Sequence, residues 1–71
     1  MPKRTEIIKK IEDAAKANDI AFTLKRHGAN HDIYDLDGAM IPVQRHRNFT
    51  TAAAEKIYRE CQPKLGRGWW R

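Results

Sequence analysis

The residues of this 71-residue chain whose types could do chemistry are three histidines set among cations. His31 closes the stretch Gly28-Ala29-Asn30-His31, with Lys25, Arg26 and His27 just before it and Arg45-His46 further on. An imidazole changes charge near neutral pH, so His31 could act as a general base. It would take the proton of a ribose 2′-OH so that the oxygen attacks the adjacent phosphate. Neighbouring cations favour the neutral, proton-accepting ring. On residue types alone, the simpler reading is a surface His31 that does no more than hydrogen-bond its own turn. Arg45 and His46 could hold phosphate or stabilise charge in the transition state. They could equally form a basic loop in which Arg45 pairs with Asp32 across a hairpin. Lys25 and Arg26 read as cations for a phosphate backbone, and His27 as incidental. Cys61 reads as a small buried hydrophobe and Tyr34 as core with its hydroxyl at the rim.

The elements that must position these groups follow from periodicity. Ile7, Ile8, Ile11, Ala14 and Ala15 recur at helical spacing between Thr5 and about Ala17, and Asn18-Asp19 supplies a stop. Phe22, Leu24 and Arg26 alternate with Thr23, Lys25 and His27, which is strand periodicity. Gly28-Ala29-Asn30 reads as a turn in which Gly and Asn can take positive φ. A second strand runs from about His31 to Leu36, and Asp37-Gly38 is a strong hairpin signal. A third strand runs from about Ala39 to Gln44, with Pro42 restricting it to an edge or a similar position. Thr50 or Thr51 opens a helix to about Gln62, with Ala53, Ala54, Ile57 and Cys61 inward and Tyr58 at the border. Pro63 ends it. The expected class is α+β, ordered α-β-β-β-α, with two helices on one face of a three-stranded antiparallel sheet, a double-stranded-RNA-binding-domain-like arrangement. Residues 1–62 form the domain. Residues 63–71 form a basic Gly- and Trp-containing tail whose Trp69-Trp70 could stack on bases, or more simply pack back onto the domain.

A two-residue hairpin loop also assigns faces. Leu36 pairs with Ala39, Tyr34 with Ile41 and Asp32 with Val43, so the apolar side of both strands lies under the helices. Parity then puts His31, Ile33, Met40, Pro42 and Gln44 on a helix-free face, with Lys25 or His27 from the first strand beside His31. One bulge would reverse the neighbouring assignment. Ile33, Met40 and Pro42 on an open face suggest that a partner covers them.

Bulk properties bound the function. The chain carries 14 basic and 9 acidic residues, a formal charge of +5, which favours a polyanionic partner and nucleic acid first. A chain this short buries only about 60% of its unfolded surface, enough for one small core. The single cysteine rules out an internal disulfide framework and suits a reducing compartment. One Cys and three His lack metal-ligand spacing, so no metal or other cofactor is expected. No apolar run is long enough to span a bilayer. The expectation is a soluble cytoplasmic protein.

The order and spacing of Gly28-Ala29-Asn30-His31, Ile33-Tyr34, Asp37-Gly38, Ile41-Pro42-Val43 and Arg45-His46 resemble the HicA (YcfA-like) toxins of bacterial toxin–antitoxin modules. The resemblance covers roughly Ile7 to Cys61. It implies an mRNA interferase, a metal-independent endoribonuclease that blocks translation and is neutralised by a HicB-like antitoxin. It also implies His31 as the catalytic residue, with Lys25, Arg26, Gly28, Asn30, Arg45 and His46 contacting mRNA. Ala29 stands where the family commonly has Ser, and Asn30 where many members have His and some have Asn. The alternative from a different class is a non-catalytic RNA-binding or protein-interaction module on the same fold.

Overall fold

The first helix, α1 (Arg4–Ala17), turns Ile7, Ile11 and Ala15 inward at i, i+4 and i+8. In the computed structural model, which describes residues 2–71, these three are the helix's buried residues, with Ile8 and Ala14 packed at the margin. The helix stops where expected. The Asn18 side chain donates to the Ala14 carbonyl at 2.8 Å, and Asp19 takes a left-handed φ of 56°.

Three antiparallel strands follow, β1 (Phe22–His27), β2 (His31–Leu36) and β3 (Ala39–Gln44), in the spatial order β1-β2-β3. The β2–β3 hairpin has the expected register, Leu36 opposite Ala39 through His31 opposite Gln44. Asp37 and Gly38 both have positive φ, 49° and 94°, the backbone of a type I′ turn. The Asp35 carboxylate accepts from the Gly38 N–H at 2.7 Å and tightens it. Pro42 lies in β3, an edge strand, where a missing donor costs no ladder bond.

The second helix, α2 (Thr51–Glu60), opens on Thr50, whose hydroxyl accepts from the Ala53 N–H at 3.1 Å. It ends at Glu60, two residues before the expected stop. A short helix α3 (Gln62–Leu65) then forms with Pro63 in its first turn, where the lost N–H has no intrahelical partner to lose. Pro63 therefore starts a helix as well as limiting one.

The fold is the expected α+β arrangement with α3 added, and it is compatible with the double-stranded-RNA-binding-like order. Leu36, Ile41 and Val43 from the sheet meet Ile7 and Ile11 from α1, Ala54, Ile57 and Tyr58 from α2, and Cys61 just after it. Phe49, in the loop before α2, completes this core, and its N–H donates to the Pro2 carbonyl. Residues 63–71 do not form a separate extension. Leu65 is buried in the common core, and the Trp69 indole donates to the Tyr58 carbonyl at 2.7 Å. The Tyr58 ring lies edge-on to Trp69 and stacked with Trp70. Packing back onto the domain is what the tail does.

Candidate nucleic-acid interface

One irregularity in β1 decides which side chains share a face with His31. The register passes from Leu24 opposite Tyr34 to Arg26 opposite Ile33, leaving Lys25 as the extra residue of a β-bulge. Parity reverses there. Lys25 and Arg26 both take the outer face, with Lys25 Nζ 3.7 Å from Met40 Sδ, and His27 moves to the helix side opposite Asp32. The expected outer-face pairing of Lys25 or His27 with His31 is thus corrected: Lys25 and Arg26 belong to that face and His27 does not. Leu24, opposite Tyr34 on the helix side, is 44% exposed because β1 is the edge strand that the helices cover least.

Nor is the face around His31 free of helices. His31, Pro42 and Gln44 form one wall of a groove of about 400 Å³, and Ala53, Lys56, Ile57 and Glu60 of α2 form the other. Phe49 from the loop before α2 also lines it. The groove exists because α2 packs beside β3, the sheet edge, so its 53-56-57-60 stripe looks past that edge. Its largely apolar lining with a few polar groups is the make-up of a small-ligand site. Further along the sheet the outer face is mixed. Ile33 is 9% exposed between its neighbours Arg26 and Pro42, whereas Met40 is 46% exposed.

Gly28 is needed for closeness and not for positive φ, which neither it nor Asn30 adopts. Its N–H donates to the His31 carbonyl at 2.9 Å, and a β-carbon there would stand 2.7 Å from that oxygen. That N–H is therefore committed to the turn and not to phosphate. Asn30 is exposed at the tip.

Asp32 is the group that sequence reasoning undervalued. One carboxylate oxygen takes Arg4 Nη2 at 2.6 Å, and the other takes His27 Nδ1 at 2.7 Å and Arg45 Nε at 3.0 Å. Arg45 also donates to the Ala29 and Gly28 carbonyls. Arg4 reaches the Gln44 carbonyl at 3.2 Å as well. The Asp32 carboxyl is held below its ordinary pKa, first by the hydrogen bond to His27 and then by Arg45, against the opposing effect of burial. Of the two readings of Arg45, the geometry realises the pairing with Asp32. The guanidinium clamps the turn that carries His31 onto the end of the sheet. The signal was present in the register, which sets Asp32 opposite Val43, two residues before Arg45. His46 lies edge-on to Phe49 at 6.2 Å between centroids and does not line the groove.

Within the groove, partial burial raises the Glu60 carboxyl above its ordinary pKa, while Lys56 pulls it down. Cys61 follows directly but is buried, and its thiol is pushed up to about 12, mainly by desolvation, so it is no nucleophile. No group of three or more His, Cys, Asp or Glu side chains comes together as a metal cluster among the described residues. None of the described helices is long and apolar enough to cross a membrane. Compared with protein-family models, curated proteins and solved structures, the chain matches none.

Proposed function

We propose that this chain is a HicA-like toxin, a small metal-independent endoribonuclease that cleaves mRNA in the cytoplasm and so blocks translation. The observation that carries the reading is the position of His31: it borders a largely apolar groove on the sheet face that also carries Lys25 and Arg26. A nucleotide seated in the groove would bring its phosphate to an imidazole, with cations beside it for the flanking backbone. The resemblance in the Gly28 to His46 segment and the charge of +5 support the same conclusion. His31 moves a proton in the cleavage, and Lys25, Arg26, Asn30 and Lys56 contact RNA. Arg45 acts by fixing the turn. A HicB-like antitoxin would neutralise the protein by covering the groove and the exposed Met40.

The test is induced expression in a bacterial host, comparing wild type with His31→Ala and checking both for folding by circular dichroism. The expected result is growth arrest by wild type alone. Equal arrest by both would assign toxicity to binding, in line with a non-catalytic RNA-binding or protein-interaction module. Absence of arrest despite good expression would contradict the toxin reading.

A further inference from the structure

The groove holds a second titratable group that can accept a proton and that the reading above leaves unused. Cleavage through the 2′-oxygen needs two proton transfers. The 2′-OH loses its proton as the O2′–P bond forms, and O5′ gains one as the P–O5′ bond breaks. The products are a 2′,3′-cyclic phosphate and a 5′-hydroxyl, with no water consumed. A lone imidazole must perform both transfers in turn, whereas two groups on opposite sides of the phosphate can perform them together. Resting on the ribonuclease reading, we propose that Glu60 is the second catalytic residue, the base that takes the 2′-OH proton while His31 delivers its proton to O5′.

Three observations carry this. Glu60 enters the groove from α2 and His31 from β2, so the two carry opposite walls of one cavity. They form no ion pair among the described residues, whereas His27 pairs with Asp32 at 2.7 Å, and both His31 and Glu60 line the groove. The groove is also furnished for a phosphate: Lys56, one turn before Glu60, faces the same space, and Gln44 offers an amide to a base edge.

The direction of transfer follows from what each group can carry. A carboxylate has only lone pairs to offer and takes a proton, whereas an imidazole can deliver one, so Glu60 is the base and His31 the acid. Partial burial, which raises the Glu60 carboxyl, makes that carboxylate a better base. His31 thereby performs the second transfer, where residue types alone suggested the first.

The decisive experiment uses a pool of short oligonucleotides with one ribonucleotide, joined to its 3′ neighbour through either the normal 5′-oxygen or a bridging 5′-sulfur. A thiolate leaves without a proton, so the sulfur substrate needs a base but no acid. His31→Ala should lose about 10²–10⁴-fold on the oxygen substrate and recover most of it on sulfur. Glu60→Gln should lose about 10²-fold or more on both. Its rate should also lose the limb that rises from the acid side. The groups facing Glu60 are His31 from β2 and Lys56 from its own helix, β3 contributing only the non-titrating Pro42 and Gln44. Glu60→Asp, which keeps a carboxylate, should retain that limb at reduced rate and covers the case in which the Gln variant folds poorly. Rescue of Glu60→Gln by sulfur would make Glu60 the acid and overturn the assignment. An unchanged pH profile in Glu60→Gln, or activity within threefold of wild type, would remove it from the chemistry. Failure of wild type to cut either substrate would sink the ribonuclease reading itself, and Glu60's role with it.

Discussion

Asp32 shows how one residue can be visible in a sequence and its importance still hidden. Its place in β2 and its neighbourhood with Arg45 were legible from the hairpin. The convergence of Arg4, His27 and Arg45 on one carboxylate was not, because Arg4 comes from a helix 28 residues away and His27 arrives only through the bulge. Removing such a carboxylate would leave two guanidinium groups facing each other, so Asp32→Asn should lower the melting temperature clearly at neutral pH. Because the folded carboxyl titrates below the unfolded one, its contribution is complete above the unfolded pKa. It is lost as pH falls through the folded value. Thermal melts of wild type and Asp32→Asn should therefore begin to converge below about pH 4 and meet only below the folded pKa. A gap that persists unchanged into acid would refute this account of the cluster. Gly28 teaches a related lesson: the sequence pointed to a turn, but the reason for glycine is the 2.7 Å clearance over the His31 carbonyl.

At the scale of elements, periodicity located α1 and all three strands, though β1 has no buried face, and the capping threonine located the opening of α2. Periodicity failed where geometry depends on a single unpaired residue. The bulge at Lys25 has no composition signal of its own, and it exchanged Arg26 and His27 between faces. The groove escaped sequence reading for a different reason. Hairpin parity says which face of a strand a residue occupies, but not how far a following helix overhangs the sheet edge, and α2 does so beside β3. The end of the chain was ambiguous, since Gly66, Gly68 and two tryptophans suit either an extension or a clasp. As a clasp, Trp69 supports Tyr58 and so the placement of α2 on the core. Trp69→Ala should then cost about 2–3 kcal/mol in denaturant unfolding, from lost packing and an unpaired carbonyl. A change below about 0.5 kcal/mol would mean that the tail does not hold the helix.

For the whole molecule, a small core fixes two surfaces of different kinds. The helix side is closed by α1, α2 and the aromatic clasp. The outer side carries the cations of β1, the exposed Met40 and the groove at the other edge. Charge, fold order and the Gly28 to His46 segment were all readable from sequence and pointed to RNA. On the proposed reading, the groove between His31 and α2 is where a nucleotide would sit. The most direct measurement of the central claim is cleavage of a long natural mRNA by purified protein in EDTA, with the new ends analysed and His31→Ala run beside wild type. The account predicts fragments with 2′,3′-cyclic phosphate and 5′-hydroxyl ends from wild type, and intact RNA from the folded variant. Equal cleavage by both proteins, or intact RNA with wild type that still binds it, would contradict it.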